Sequence, residues 1–446
     1  MPDQEQGLRR ELTARQMAMV AVGGSIGTGL FLGSGAAIQI AGPAVVLTYF
    51  IGALIAFTVA MALGEMSCAH PAAGSFGVYA DLYLNRWAGF IARYGYWFST
   101  AVAIGSELVA AATYMRHWYP AVPPVVWMAL FALFLMAVNL FSVGHYGTFE
   151  YWFALIKVVT IFVFIVTGVA LMFGGKVAVQ YAGGGLAPKG WTAPLLAISF
   201  GLYSFLGIEM VAISSGEARS NRDVARATRL AFAMLALIYV GAMAVLVGLL
   251  PWKSAGVSQS PFVTAVAGIP GAASIMNFVV LTAALSGANA TLYVTSRMLF
   301  SLARSGYAPR ALGRLNHQAV PMSALMVSMA GIALAIVVQL WAPEQAYLYI
   351  INFALVGGML AWLVSLLAHV RFRARIAPQQ LAALGLRSPL GAAGSIAGFV
   401  AVVAAVAVTW WVEQSSVAAK SAVFYLLILS AGYLVARGRQ RSTAKR

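Results

Sequence analysis

The chain has 446 residues, 61% of them hydrophobic, only 9% charged, and a formal net charge of +16. That balance excludes a soluble domain. A single cysteine and five scattered histidines exclude an intramolecular disulfide and a Cys/His metal site, so Cys68 reads as a small buried hydrophobe.

Apolar runs of about the 20 residues that a helix needs to cross a bilayer recur along the sequence. Twelve spans are predicted, at 16–40, 43–69, 88–115, 124–142, 148–173, 192–214, 229–251, 274–303, 322–341, 346–370, 390–412 and 418–436. The period-two alternation of a transmembrane barrel is missing. The fold class is therefore an all-α polytopic membrane protein. The first run is too long for a cleavable signal and is followed at once by another span. Spans 2, 3 and 8 are long enough to tilt or to project beyond the membrane.

Span 1 carries Gly23-Gly-Ser-Ile-Gly-Thr-Gly29, four glycines in seven residues at the middle of an uncharged run. Glycine costs about 0.8–1 kcal/mol relative to alanine inside a helix, so the cluster predicts a break at mid-membrane. Irregular backbone at that depth is tolerated where it is buried in protein or lines a cavity. The competing reading is close helix packing through Gly23/Gly27 and Gly29/Gly33. After span 2, His70–Asp81 is too polar to cross and predicts an interfacial or re-entrant helix. Span 3 holds Glu107, which suits contact with a substrate side chain, proton transfer, or a hydrogen bond to a neighbouring helix. Span 5 holds Lys157, either snorkelling to the interface or standing where a coupling cation would sit. Residues 174–191, rich in glycine, read as a flexible outer loop.

Span 6 contains a second interruption, Ser199-Phe-Gly-Leu-Tyr-Ser-Phe-Leu-Gly-Ile-Glu209. Glu209 follows it directly and reads as a proton-coupling carboxyl or as a hinge group that satisfies freed backbone. Ionisable residues within spans are costly and are functional candidates by default. Glu65, Glu217 and Arg297 fall near span ends, as solvated charges or as a gate ion pair.

With the N-terminus placed in the cytoplasm, 22 of the 28 Lys and Arg fall on the inner side and 5 on the outer, with Lys157 inside a span. That matches the positive-inside rule with both termini cytoplasmic. The charge is thus a topology signal and argues against nucleic-acid binding. Spans 1 and 6 lie five apart, so their surroundings are inverted. Two five-span halves with interrupted first helices are the pattern of an inverted-repeat transporter. The expected organisation is a cytoplasmic segment 1–15, a first repeat 16–173, a second repeat 192–370, two added helices within 390–436, and a cytoplasmic tail 437–446. No cofactor is assigned to any residue. A missing P-loop argues against an ATP-driven pump, and no nucleophile–base pattern such as GxSxG or HExxH marks an enzyme.

Several motifs carry a resemblance to a family. Gly24-Ser-Ile-Gly-Thr-Gly-Leu-Phe-Leu-Gly-Ser-Gly35, Ala41-Gly-Pro43, Ala62-Leu-Gly-Glu-Met66, Gly207-Ile-Glu-Met-Val-Ala-Ile-Ser-Ser-Gly-Glu-Ala218 and Ser296-Arg-Met-Leu-Phe-Ser-Leu-Ala303 resemble bacterial amino acid permeases. These form the amino acid transporter family of the amino acid–polyamine–organocation superfamily. The resemblance spans residues 8–440. It implies a LeuT-like 5+5 inverted repeat with twelve transmembrane helices, helices 1 and 6 discontinuous, and proton-coupled uptake across the cytoplasmic membrane. It implies that Ser25, Ile26, Gly27, Thr28 and Gly29 receive a substrate carboxylate through backbone N–H groups and the threonine hydroxyl. Carbonyls of Tyr203, Ser204 and Leu206 would take the α-ammonium, and Phe205 would belong to a gate. Glu107 and Asn289 would line the side-chain pocket. Lys157 would stand in for a sodium ion, and Glu209 matches the acidic residue after the second break. The expected partners are an amino acid, protons and membrane lipid. An exchanger of the same fold, or a non-transporting amino acid sensor, remain the alternative readings. Neither the amino acid nor the oligomeric state is legible.

Overall fold

The computed structural model describes residues 10–72, 74–140, 143–174, 181, 185–316 and 320–443. Half of the 174–191 loop expected to be flexible, residues 175–180 and 182–184, lies outside these residues. Among the described residues the chain is all-helical, apart from one isolated β-bridge between Leu12 and Ala218. In the first third, α1 (Ala14–Ser25), a π-helical turn (Gly29–Gly33) and α2 (Ser34–Ala41) share the first predicted span. They are followed by α3 (Val45–Ala69), α4 (Ser75–Tyr83), α5 (Arg86–Met115), α6 (Pro124–Leu140) and α7 (Val143–Phe173). The second predicted repeat opens with the short α8 (Ala193–Leu196), α9 (Ile198–Phe205) and α10 (Met210–Ile213). It continues with α11 (Asn221–Leu249), α12 (Pro261–Ala265), α13 (Ala272–Arg304), α14 (Met322–Ser328), α15 (Ala330–Trp341) and α16 (Ala346–Arg375). The chain finishes with α17 (Pro378–Ala382), α18 (Gly391–Val408) and α19 (Ser416–Thr443).

Ten helical stretches among the described residues are long and apolar enough to cross a membrane. The difference from twelve has a physical origin. The residues from Gly29 to Ala69 count as one apolar stretch of 41 residues, although Gly42, at φ 62° and ψ −148°, ends α2 and a short turn, Gly42–Ala44, leads directly into α3. In the first predicted span α1 has only 12 residues, and α6 stops after 17.

The ten differ sharply in burial. Of the most apolar window, 78% is buried in α16 and 72% in α5 and α13, against 22% for the stretch in α7, 28% for that beginning at Gly391 and 17% for that in α19. So α5, α13 and α16 form the centre, with α5 packed against both α13 and α16, while α18 and α19 lie outside. On α7, Ala154, Lys157, Ile161 and Phe164 are buried, while Trp152, Ile156, Val159, Val163 and Val166 are exposed. The two sets repeat every three or four residues, the spacing of opposite helix faces. The periodicity therefore turns Lys157 inward.

At the arginine-rich end, the segment expected to lie at the interface is α4, which packs against α5. Phe76, Tyr79 and Ala80 are fully buried, and Asp81 bonds Arg93 at 2.7 Å. Burial pushes the Asp81 carboxyl above its ordinary range, against the opposing pull of Arg93. Glu65 is no solvated charge. It is fully buried, and Arg373 reaches it through Nε at 2.5 Å and through a second guanidinium nitrogen at 2.6 Å. The Ser388 amide also donates to it, and His369 stands 3.6 Å away. This cluster joins α3 to α16 and to the segment before α18. The N-terminal segment is tied down as well: Leu12 N–H donates to the Glu217 carbonyl at 2.9 Å, and Arg219 N–H to the Leu12 carbonyl at 3.1 Å.

Candidate functional site

Helical bonding in α1 ends at Ser25, and Ile26 leaves the helix with φ −79° and ψ 88°. Helix resumes at Gly29. The same happens in the second interrupted segment: Leu206 is extended, with ψ 135°, and Gly207 takes φ 110°, a conformation that favours glycine. The two breaks touch. A Cβ on Gly207 would lie 2.5 Å from Ser25 Oγ, and one on Gly29 would lie 3.0 Å from Tyr203 Cδ1. At Gly207 glycine is required, since φ is positive and the Ser25 backbone would lie 3.0 Å from such a Cβ; at Gly29 the approach is close, with Ser204 Cα at 3.2 Å.

Between the breaks lies a cavity of about 60 Å³, on the measure by which one water needs roughly 10–15 Å³. Ser25, Gly27, Gly29, Glu107, Tyr203, Leu206, Gly207 and Glu209 line it, with Tyr96, Ser99, Thr100 and Ala103 from α5, and Thr291, Ala354 and Gly358 from α13 and α16. Beside the first break, Phe31, Tyr114, Tyr347 and Phe262 are all buried, and the rings of Phe31 and Phe262 meet edge to face at 5.3 Å. Ser260 Oγ donates to the Phe31 carbonyl at 2.6 Å, fastening the start of α12 to the first broken helix.

Three ionisable side chains meet the breaks. Lys157 Nζ donates to the Gly23 carbonyl at 2.9 Å and is 1% exposed, so it does not snorkel. A cation among the last carbonyls of α1 complements the negative end of that helix. Glu209 sits at the N-terminus of α10. Its Oε1 accepts from Gly207 N–H at 3.0 Å and from the Tyr96 hydroxyl at 2.8 Å, and its Oε2 from Trp362 Nε1 at 3.1 Å. Glu107 accepts from the Thr28 N–H, with both carboxylate oxygens at 3.3 Å.

The other expected residues divide into those at the cavity and those behind it. Thr28 is buried, and its carbonyl accepts from the Tyr347 hydroxyl at 2.7 Å. The Ile26 amide bonds the Val22 carbonyl and the Gly27 amide bonds the Ser25 carbonyl, so the Thr28 N–H is the one turned to a carboxylate. The Tyr203 carbonyl accepts from Leu206 N–H at 3.2 Å, and the Tyr203 hydroxyl pairs with Ser106 Oγ at 3.0 Å. Ser204 Oγ is bonded to the Phe200 carbonyl. Phe205 is fully buried against the Tyr239 ring at 4.9 Å and is not in the lining. Asn289 also lies behind it, accepting from Asn139 of α6 at 2.8 Å.

Sequence reasoning missed Tyr96, Trp362, Tyr239 and Tyr347, the hydroxyl and indole donors that brace the breaks. Tyr239 gives its hydroxyl hydrogen to the Ser25 carbonyl at 2.7 Å. A signal existed for Tyr96. It precedes Ala103 by seven residues and Glu107 by eleven, which places all three on one helix face. The other three come from helices remote in sequence and left no local trace.

Comparison with known proteins agrees with this architecture. The profile described as amino acid permease matches residues 16–441. The chain is 38% identical over 386 residues to a gamma-aminobutyric acid permease of Bacillus subtilis (strain 168), covering 84% of this chain and 82% of that one. It is 37% identical over 384 residues to the aromatic amino acid transport protein AroP of Escherichia coli O6:H1, covering 84% of each chain. It is 38% identical over 384 residues to a putative histidine permease of Bacillus subtilis (strain 168), covering 83% and 81%. A chain of apolar crossing helices, matched by the family profile over residues 16–441 and by these proteins over 83–84% of its length, is a multi-pass membrane transporter and not an enzyme, and it belongs to the amino acid permease family.

Proposed function

We propose that this protein imports an amino acid across a bacterial cytoplasmic membrane by proton symport with alternating access. One observation carries the reading: two broken helices face each other across a cavity that also presents Glu107 and Glu209, with Lys157 on the backbone of the first break. Broken helices at mid-membrane offer free backbone groups and helix ends to a zwitterion. The relatives' names point to substrates as different as gamma-aminobutyric acid and aromatic amino acids. What those substrates share is an amine and a carboxylate, and the glycine-rich break suits that common part.

In this reading the two five-helix repeats are 16–173 and 192–370, with 390–436 added, twelve crossing helices and both termini in the cytoplasm. Ser25–Gly29 hold the carboxylate, with the Thr28 amide foremost. Tyr203, Ser204 and Leu206 offer carbonyls to the ammonium. Glu209 carries the coupled proton, and Lys157 supplies the fixed charge that steadies the first break. Phe205 and Asn289 act from behind the cavity, through packing.

The test is uptake of labelled amino acids into proteoliposomes of the purified protein. Accumulation in unloaded vesicles, driven by an inward acid gradient and abolished by a protonophore, is the expected result. Uptake only into vesicles preloaded with amino acid makes it an exchanger. Binding with no uptake in either case makes it a sensor.

A further inference from the structure

The two cavity carboxylates are held very differently. Glu209 accepts from three donors at 2.8–3.1 Å, shared over both of its oxygens. Glu107 shares one amide, that of Thr28, between two oxygens at 3.3 Å each. Bonds near 3.3 Å to a divided donor are at the weak end of the range for N–H···O contacts. Yet the carboxylate fits its place closely. A Cβ on Gly27 would lie 2.6 Å from Glu107 Oε1, and one on Gly287 would lie 3.3 Å from its Cδ. Two glycines, one on each side, therefore leave room for a carboxylate against an amide of the broken helix.

One more polar atom in that break has no hydrogen-bond partner, Ser25 Oγ. Its residue is 5% exposed and faces the cavity. A buried hydroxyl without a partner is costly and calls for a ligand or water. The break thus holds a carboxylate-sized position filled loosely by the protein itself, beside a hydroxyl that remains to be used.

We infer that Glu107 occupies the position of the ligand carboxylate: a ligand binds by displacing it from the Thr28 amide, and must bring a positive charge for the displaced Glu107. This rests on the reading of the cavity as an amino acid site and adds to it a selection rule. A ligand carboxylate arriving without a cation would leave two buried carboxylates facing one amide. Lys157, bonded to the Gly23 carbonyl, supplies a single positive charge that Glu107 already matches, and Glu209 adds no positive charge from the second break. A ligand with its own ammonium brings the neutralising charge. Glu107 is accordingly a specificity-determining residue that rejects carboxylates lacking an amine.

The test is binding to the full-length protein in detergent, by thermal shift and calorimetry. The probes are the twenty standard amino acids and 4-aminobutyrate, each against its des-amino counterpart, for example phenylalanine against 3-phenylpropionate and 4-aminobutyrate against butyrate. The wild type should prefer the amino compound by at least ~100-fold, as expected where an unpaired buried charge is the alternative. In Glu107→Gln, with the negative charge gone, the preference should fall below ~10-fold. An unchanged preference in a well-folded Glu107→Gln overturns the inference and leaves the transport reading intact. Binding of none of the probes to the wild type overturns that reading and this one with it. A ligand-bound wild-type structure decides the matter without any variant. The ligand carboxylate on the Thr28 amide, with Glu107 rotated toward the amine, supports the inference; Glu107 still on that amide refutes it.

Discussion

Replacing Arg373 with methionine should be far more damaging than replacing Arg373 and Glu65 together. Glu65 is fully buried and receives two guanidinium nitrogens, at 2.5 and 2.6 Å, and the Ser388 amide. Arg373→Met deletes two of these donors and the only full positive charge among them. Removing one partner of a buried pair costs about 3–5 kcal/mol, because the other charge remains unpaired, whereas replacing both by apolar groups is often neutral or stabilising. The expected loss corresponds to roughly a hundredfold to several-thousandfold shift in the unfolding equilibrium. The double variant Glu65→Met/Arg373→Met should recover most of it. Unfolding in mixed micelles, followed by tryptophan fluorescence, gives all four corners of the cycle. If the Arg373→Met variant falls within about 1 kcal/mol of wild type, or if the two single losses simply add, the pair is not the desolvated unit described here.

Lys157→Met and Glu209→Gln should each abolish gradient-driven uptake while leaving a monodisperse protein. Wild-type rates for both would remove these groups from coupling. Gly207→Ala forces an L side chain into φ 110° with its Cβ 2.5 Å from Ser25 Oγ. It should lower stability by about 2–4 kcal/mol, the combined order of backbone strain and overpacking. Gly185→Ala, also at positive φ but with nothing within 4 Å, should lose only the strain part, and equal losses in the two would count against a contact between the breaks. Asp81 has its carboxyl raised by burial, so its proton is held more tightly in the folded state. The stability it contributes is present below its ordinary value of 3.8 and is lost as pH rises through the raised value. Asp81→Asn should therefore gain stability relative to wild type over the window that opens as pH rises above about 4. A relative fall over that window would mean that the attraction of Arg93 outweighs burial.

How much of this was legible depended on whether a feature is local. Gly23–Gly29 and Phe200–Glu209 could be read as breaks because glycine acts on the backbone where it stands. The inward face of Lys157 was not legible, because the opposite face of its helix, with Trp152, Ile156, Val159, Val163 and Val166, is as apolar as Ala154, Ile161 and Phe164. For Glu65 the sequence could not choose between a solvated charge and an ion pair, because its partner lies 308 positions away and no local pattern distinguishes a buried acid from an exposed one near a helix end. Phe205 shows a finer limit. It stands two residues from Tyr203, which lines the cavity, yet that step turns a helix by about 200°, and its ring packs against Tyr239 instead. Asn289 was assigned to the cavity by resemblance alone, and its bond to Asn139 depends on how α6 and α13 pack.

The short bridge at Leu12 and Ala218 gives the half-helices α1 and α10 a common handle. The main chain just before α1 is bonded on both sides of Ala218 to the stretch that follows α10, so neither can travel far without breaking these bonds or towing the other. A spectroscopic label at the start of the chain would thus report on a segment some two hundred residues downstream. Loosening that tether should change how the two halves keep step, even though no residue of the tether reaches the cavity.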